Sequence, residues 1–136
     1  MDLLHSPRIR WSLTGIYFLV LSHSLLAPAP LWFLGAFEPA VEAAVTHRVS
    51  DYWKHLMAFQ LLAMLVCWAR GPSHSPAVPI CQLALFGYAL LSEMLQTLIP
   101  GRSWETHDVL ANVVGILAGW GMGATLSRWS SPTSAC

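Results

Sequence analysis

VPICQLALFGYALLSEMLQTLI, Val78 to Ile99, is the stretch whose reading decides the fold. It is apolar for long enough to cross a hydrocarbon core of about 30 Å, which takes roughly 20 helical residues. Pro100-Gly101 closes it. Its last two turns carry Glu93 and Gln96. Outward from it, similar apolar runs cover residues 108–128, 54–70 and 11–27. Gly71-Pro72 stops the second run, and Pro28 and Pro30 end or kink the first. The expected fold is all-α: an integral membrane bundle of four transmembrane helices, with residues 1–136 as a single domain.

Composition supports a lipid solvent. Of 136 residues, 55% are hydrophobic and 10% charged, against about 25% charged in an average soluble domain. Mean hydropathy is +0.53. Seven basic residues balance seven acidic ones, so there is no electrostatic footprint for nucleic acid. Cys67, Cys81 and Cys136 have no metal-ligand spacing. Cys67 and Cys81 lie in apolar runs, where a thiol acts as a small hydrophobe. The run after Arg8 and Arg10 has no convincing cleavage pattern and reads as a retained membrane helix.

Trp11, Trp32, Trp53, Trp68, Trp104 and Trp129 fall near expected helix ends, with Trp120 mid-helix. Indoles favour the headgroup level, so this distribution reads as aromatic belts. Residues 39–49 read as a short amphipathic helix on the membrane surface, with Pro39 in its first turn. With the N-terminus cytoplasmic, Arg8, Arg10, Arg70 and Arg128 lie inside, and Arg48, Lys54 and Arg102 outside. Glu38, Glu42, Asp51, Glu93, Glu105 and Asp108 then all map outside.

Polar residues enter the apolar spans at three places: Asp51, Lys54 and His55; Glu93 and Gln96; Asp108 and Asn112. In an up-down-up-down bundle all three meet on one membrane face. Glu93 and Gln96 are spaced i, i+3, while Asp108 and Asn112, like Asp51 and His55, are spaced i, i+4, so each pair shares a helix face. An ionisable group inside a span must face the interior and find a partner. Glu93 is the deepest, and Lys54 and Arg102 are the available cations. Ala111, Gly115, Gly119 and Gly123 recur every four residues and admit close approach by a neighbouring helix. That neighbour is another span, or a second copy or membrane-protein partner.

Plainer readings stand beside these. Asp108 after Thr106 suits a helix N-terminus. Glu93 with a cation suits a buried ion pair that sets helix register. Asp51, His55, Glu93, His107 and Asp108 have the donor types of a metal site, but nothing in the sequence fixes their distances; no metal or other cofactor is expected. His23 alone in an apolar run suits a satisfied interior histidine.

Glu93-x-x-Gln96, then Pro100-Gly101-Arg102, then Asp108-x-x-x-Asn112-x-x-Gly115 resembles the signature of the VanZ-like family. Asp51-x-x-x-His55, with Phe59 four residues on, matches that family's segment at the start of its second helix. The resemblance covers nearly the whole chain. One departure is visible. The family usually has lysine directly after the aspartate, whereas here Tyr52 follows and the lysine is Lys54. The resemblance implies a multi-pass protein of the bacterial cytoplasmic membrane. The family's name-giving member is associated with low-level resistance to the glycopeptide teicoplanin; the family's biochemical activity is unsettled.

The first functional expectation is a site for an anionic lipid or a lipid-linked cell-envelope intermediate. Its binding residues are Asp51, Lys54, His55, Glu93, Gln96, Arg102, Asp108 and Asn112, with Lys54 and Arg102 on a phosphate. Gln96 and Asn112 would orient the headgroup. Glu93, Asp108 and His55 are the candidate catalytic residues. The alternatives are a scaffold that acts through partners, and a membrane hydrolase or transferase.

Overall fold

The computed structural model describes residues 6–27, 51–71, 77–99 and 104–129. The surface helix expected at 39–49, Trp32 and Arg102 lie outside them. The described residues form four helices: α1 Pro7–Leu26, α2 Asp51–Arg70, α3 Ala77–Gln96 and α4 Thr106–Trp129. Pro7 takes the first turn of α1, where its missing N–H costs nothing. Gly71 ends α2 at φ +72°, a left-handed cap that glycine adopts without Cβ strain. All four helices start before the expected spans, α3 by one residue and α4 by two. α1 and α2 begin at Pro7 and Asp51, not at 11 and 54, because interfacial polar residues complete their first turns. At its other end α3 stops at Gln96, and Thr97–Ile99 form turns before Pro100.

Contacts fix the topology. Arg10 Nη1 donates to the Trp68 carbonyl at 3.1 Å and Tyr17 Oη to the Ala58 carbonyl at 3.0 Å. α1 and α2 are therefore antiparallel. Ser22 meets Tyr88 at 2.9 Å and Gln96 meets Leu25, so α1 and α3 run the same way. α2 and α4 are parallel and form the most extensive helix pair.

That pair depends on missing side chains. A Cβ at Gly115 would meet the Leu56 carbonyl oxygen, one at Gly119 the Gln60 carbonyl oxygen, and one at Gly123 the Cys67 Cβ at 2.6 Å. The small-residue stripe is thus filled by α2 of the same chain. A second copy or another membrane protein would have to engage a different face.

The chain is apolar outside and partly polar inside. Leu19, Ile80, Leu83 and Leu98 are 66–77% exposed, whereas Glu93 and Asn112 are 0% exposed. So much apolar surface around a polar interior suits lipid. Leu21, Leu25, Phe59, Leu62, Ala63, Leu85, Ala89 and Ile116 form the apolar part of the core. Phe59 stacks on Tyr88 with centroids 5.6 Å apart. Ser22, Ser24, Ser92 and Thr125 return their hydroxyl hydrogens to carbonyls one turn back, which satisfies them where no water competes.

Among the described residues, three helices, Pro7–Leu26, Val78–Gln96 and Thr106–Thr125, are long and apolar enough to cross a membrane. The all-helical, membrane-compatible part of the expected fold is therefore present. α2 is as long as α1 but carries Asp51, Lys54 and Arg70.

Candidate functional site

The starts of α2 and α4 and the end of α3 meet at one end of the bundle. Asn112 sits at their centre. Its Nδ2 donates to Glu93 Oε1 at 2.9 Å. Its Oδ1 lies 3.0 Å from His55 Nδ1, which is also 3.2 Å from Glu93 Oε1. On the ring's other side, His55 Nε2 stands 3.7 Å from Asp108 Oδ2. One residue from α3, one from α2 and two from α4 thus form a continuous polar unit. All four are buried.

Asp108 links this unit to solvent. A cleft of about 360 Å³ opens at the bundle end, lined by Asp51, Tyr52, Glu105, His107 and Asp108. Asp108 occupies the first turn of α4, where the helix dipole favours a carboxylate. Tyr52 and Glu105 were not among the candidates read from sequence. Their signal was only adjacency, Tyr52 beside Asp51 and Glu105 just before α4.

Two expectations need correction. Glu93 is partnered by His55 and Asn112, not by Lys54. Lys54 instead bonds Asp51 at 2.7 Å on the exposed rim, because one helical turn separates the two on the same face. Gln96 does not join the polar unit; its Nε2 donates to the Leu25 carbonyl at 3.2 Å, at the end of α1. An α-helix leaves its last carbonyls without partners, and Gln96 satisfies one of them. Among the described residues, no group of three or more His, Cys, Asp or Glu side chains is placed to hold a metal ion.

An exposed pair such as Lys54–Asp51 contributes little, about 0–1 kcal/mol. Lys54→Gln is therefore expected to leave thermal stability within about 0.5 kcal/mol of the unsubstituted protein. A detergent melting curve checks this, and a large drop would mean that Lys54 has a buried role.

The sequence pattern of the VanZ/LLP1 family matches residues 13–127. The chain belongs to the VanZ-like family. The match spans all four helices and every member of the polar unit. No curated protein and no solved structure matches this VanZ-like chain. The residues that carried the resemblance divide by role. Phe59 is wholly buried in the core, and Gly115 permits the α2–α4 approach. His55, Glu93, Asp108 and Asn112 form the polar unit.

Proposed function

We propose that this VanZ-like chain crosses the bacterial cytoplasmic membrane four times and binds the headgroup of a cell-envelope lipid in the cleft at the outer interface. The observation that carries the proposal is the shared carboxylate. Asp108 both lines the open cleft and faces the buried His55–Asn112–Glu93 unit. Ordinary helix locking needs the buried unit but not the opening.

The place of α2 supports reading it as the fourth span. It runs parallel to α4, in contact from Leu56/Gly115 to Cys67/Gly123, and its 20 residues rise about 30 Å. Its His55 faces inward, so its average hydropathy understates how apolar its outer surface is. Arg8, Arg10, Arg70 and Arg128 gather at the end of the bundle opposite the cleft. The positive-inside rule supports reading that end as cytoplasmic.

The lining sets the ligand chemistry. Asp51, Glu105 and Asp108 are carboxylates, which when ionised only accept hydrogen bonds. The complementary headgroup presents donors, hydroxyl or ammonium groups. The lipid's phosphate would fall to Lys54, on the rim, and to Arg102.

The scaffold reading has one observation in its favour. Both hydrogen bonds of Asn112 join different helices, as a register lock would. Native mass spectrometry of the full chain in mild detergent separates the two readings. A retained lipid adduct, reduced at least several-fold by Asp108→Asn and by Glu105→Gln, is the expected result. Bare protein in every sample would overturn the lipid reading and favour the scaffold.

A further inference from the structure

The hydrogen on His55 can be placed from its neighbours. Nδ1 stands 3.0 Å from Asn112 Oδ1 and 3.2 Å from Glu93 Oε1. The Asn112 amide is oriented by Glu93, since its Nδ2 donates to Oε1. Turned round, it would set its oxygen against a carboxylate oxygen. A ring nitrogen between two acceptors carries the hydrogen. In the neutral ring the lone pair then falls on Nε2. That nitrogen faces Asp108 Oδ2 at 3.7 Å, beyond hydrogen-bond distance, and Asp108 lines the cleft.

We infer that His55, set behind the Asp108 wall of the cleft, is the proton acceptor of the site, through Nε2, with Asn112 and Glu93 as positioning residues that hold Nδ1–H. The inference rests on the lipid-headgroup reading for its substrate, a headgroup hydroxyl or a water beside it. The O–H bond breaks, the proton bonds to Nε2, and the oxygen keeps the electron pair. The imidazolium so formed lies between the Glu93 and Asp108 carboxylates. Bonding one ring nitrogen to a carboxylate fixes the other as the base. Glu93 itself is a poor candidate for this task. It is 0% exposed, against 6% for His55, and its Oε1 already serves Asn112 and His55. Its Oε2 is buried with no hydrogen-bond partner, so all the carboxylate's hydrogen bonding is directed at Oε1.

The charged groups around the ring come from several elements. They are Glu93 of α3, Asp108 of α4, Glu105 just before α4, and Asp51 and Lys54 of α2 itself. Nearby, α1 contributes the uncharged Tyr17, hydrogen-bonded to α2.

The test is ¹⁵N–¹H correlation spectroscopy of the full chain labelled at histidine, in nanodiscs, with His55→Gln to assign the signal. At alkaline pH the neutral ring is expected with hydrogen on Nδ1 and an unprotonated Nε2. On acidification the Nε2 resonance moves to the imidazolium position while Nδ1 changes little. Asn112→Leu should transfer part of the neutral population to the Nε2–H form. A wild-type ring with hydrogen on Nε2 would overturn the inference, whether or not the variant folds. So would a ring that stays neutral until the protein unfolds. Nanodiscs of phosphatidylethanolamine against phosphatidylcholine test the ligand separately. No difference at His55 or His107 between them would overturn the headgroup reading and leave the tautomer result standing.

Discussion

Gly119→Ala is expected to remove most of the folded protein, although it adds a single methyl group. The new Cβ would meet the Gln60 carbonyl oxygen, the Gln60 carbonyl carbon at 2.9 Å and the Ala63 Cβ at 3.0 Å. Two of those three atoms are backbone, which cannot turn aside as a side-chain tip does. Relief requires α2 and α4 to separate along their shared stripe. Overpacking of a well-filled interior costs about 1–3 kcal/mol, occasionally more, and this site belongs at the upper end. Gly121→Ala is the matched control, because its Cβ would meet nothing within 4 Å. Alanine is the better helix former by about 1 kcal/mol, so Gly121→Ala should be neutral or slightly stabilising. Membrane abundance and detergent melting temperature of the two variants read the difference. Equal behaviour would mean that α2 and α4 do not pack as described.

The second large effect is expected at Glu93, and it divides by substitution. Glu93→Leu removes the acceptor of the Asn112 Nδ2 bond and one of the two acceptors at His55 Nδ1. Hydrogen bonds between membrane helices are worth about 0.6 kcal/mol on average, up to about 1.7, and a buried donor without a partner costs about 1–3 kcal/mol. A loss of about 2–3 kcal/mol follows, with reduced abundance. Glu93→Gln keeps the shape and one amide oxygen for the same donors, so the fold should survive. What it loses is the negative charge that stabilises an imidazolium at His55. Glu93→Gln should therefore accumulate normally while protonation of His55 is suppressed. If both variants fold poorly to the same degree, Glu93 serves helix locking alone.

Several features of the fold are legible along the chain without any tertiary information. The apolar runs and their Pro and Gly boundaries mark all four helices to within a few residues. Ala111, Gly115, Gly119 and Gly123 show that α4 has a face for close approach. Local chemistry dictates these features: a helix needs apolar length to sit in lipid, and a close contact needs small residues at every fourth position. The convergence of Glu93, Asp108, Asn112 and His55 follows as well, because the alternating direction of consecutive spans brings those helix ends to one face.

Which group bonds which was decided by the tertiary structure alone. Formal charge pointed Glu93 toward Lys54. In three dimensions Lys54 turns to Asp51 on its own helix, while the neutral amide of Asn112 and the His55 ring reach Glu93. Gln96, on the same face of α3 by spacing, satisfies the end of α1 instead. Tyr52 and Glu105 become cleft residues only when the starts of α2 and α4 lie side by side. Sequence by itself determined the helices, their apolar surfaces and the shared end, since each depends on residues near one another in the chain or on alternating span direction. The hydrogen-bond partners and the cleft depended on helix rotation and separation, which are set by contacts between residues some 20 to 60 positions apart, as from Glu93 to Asn112 and from His55 to Asn112.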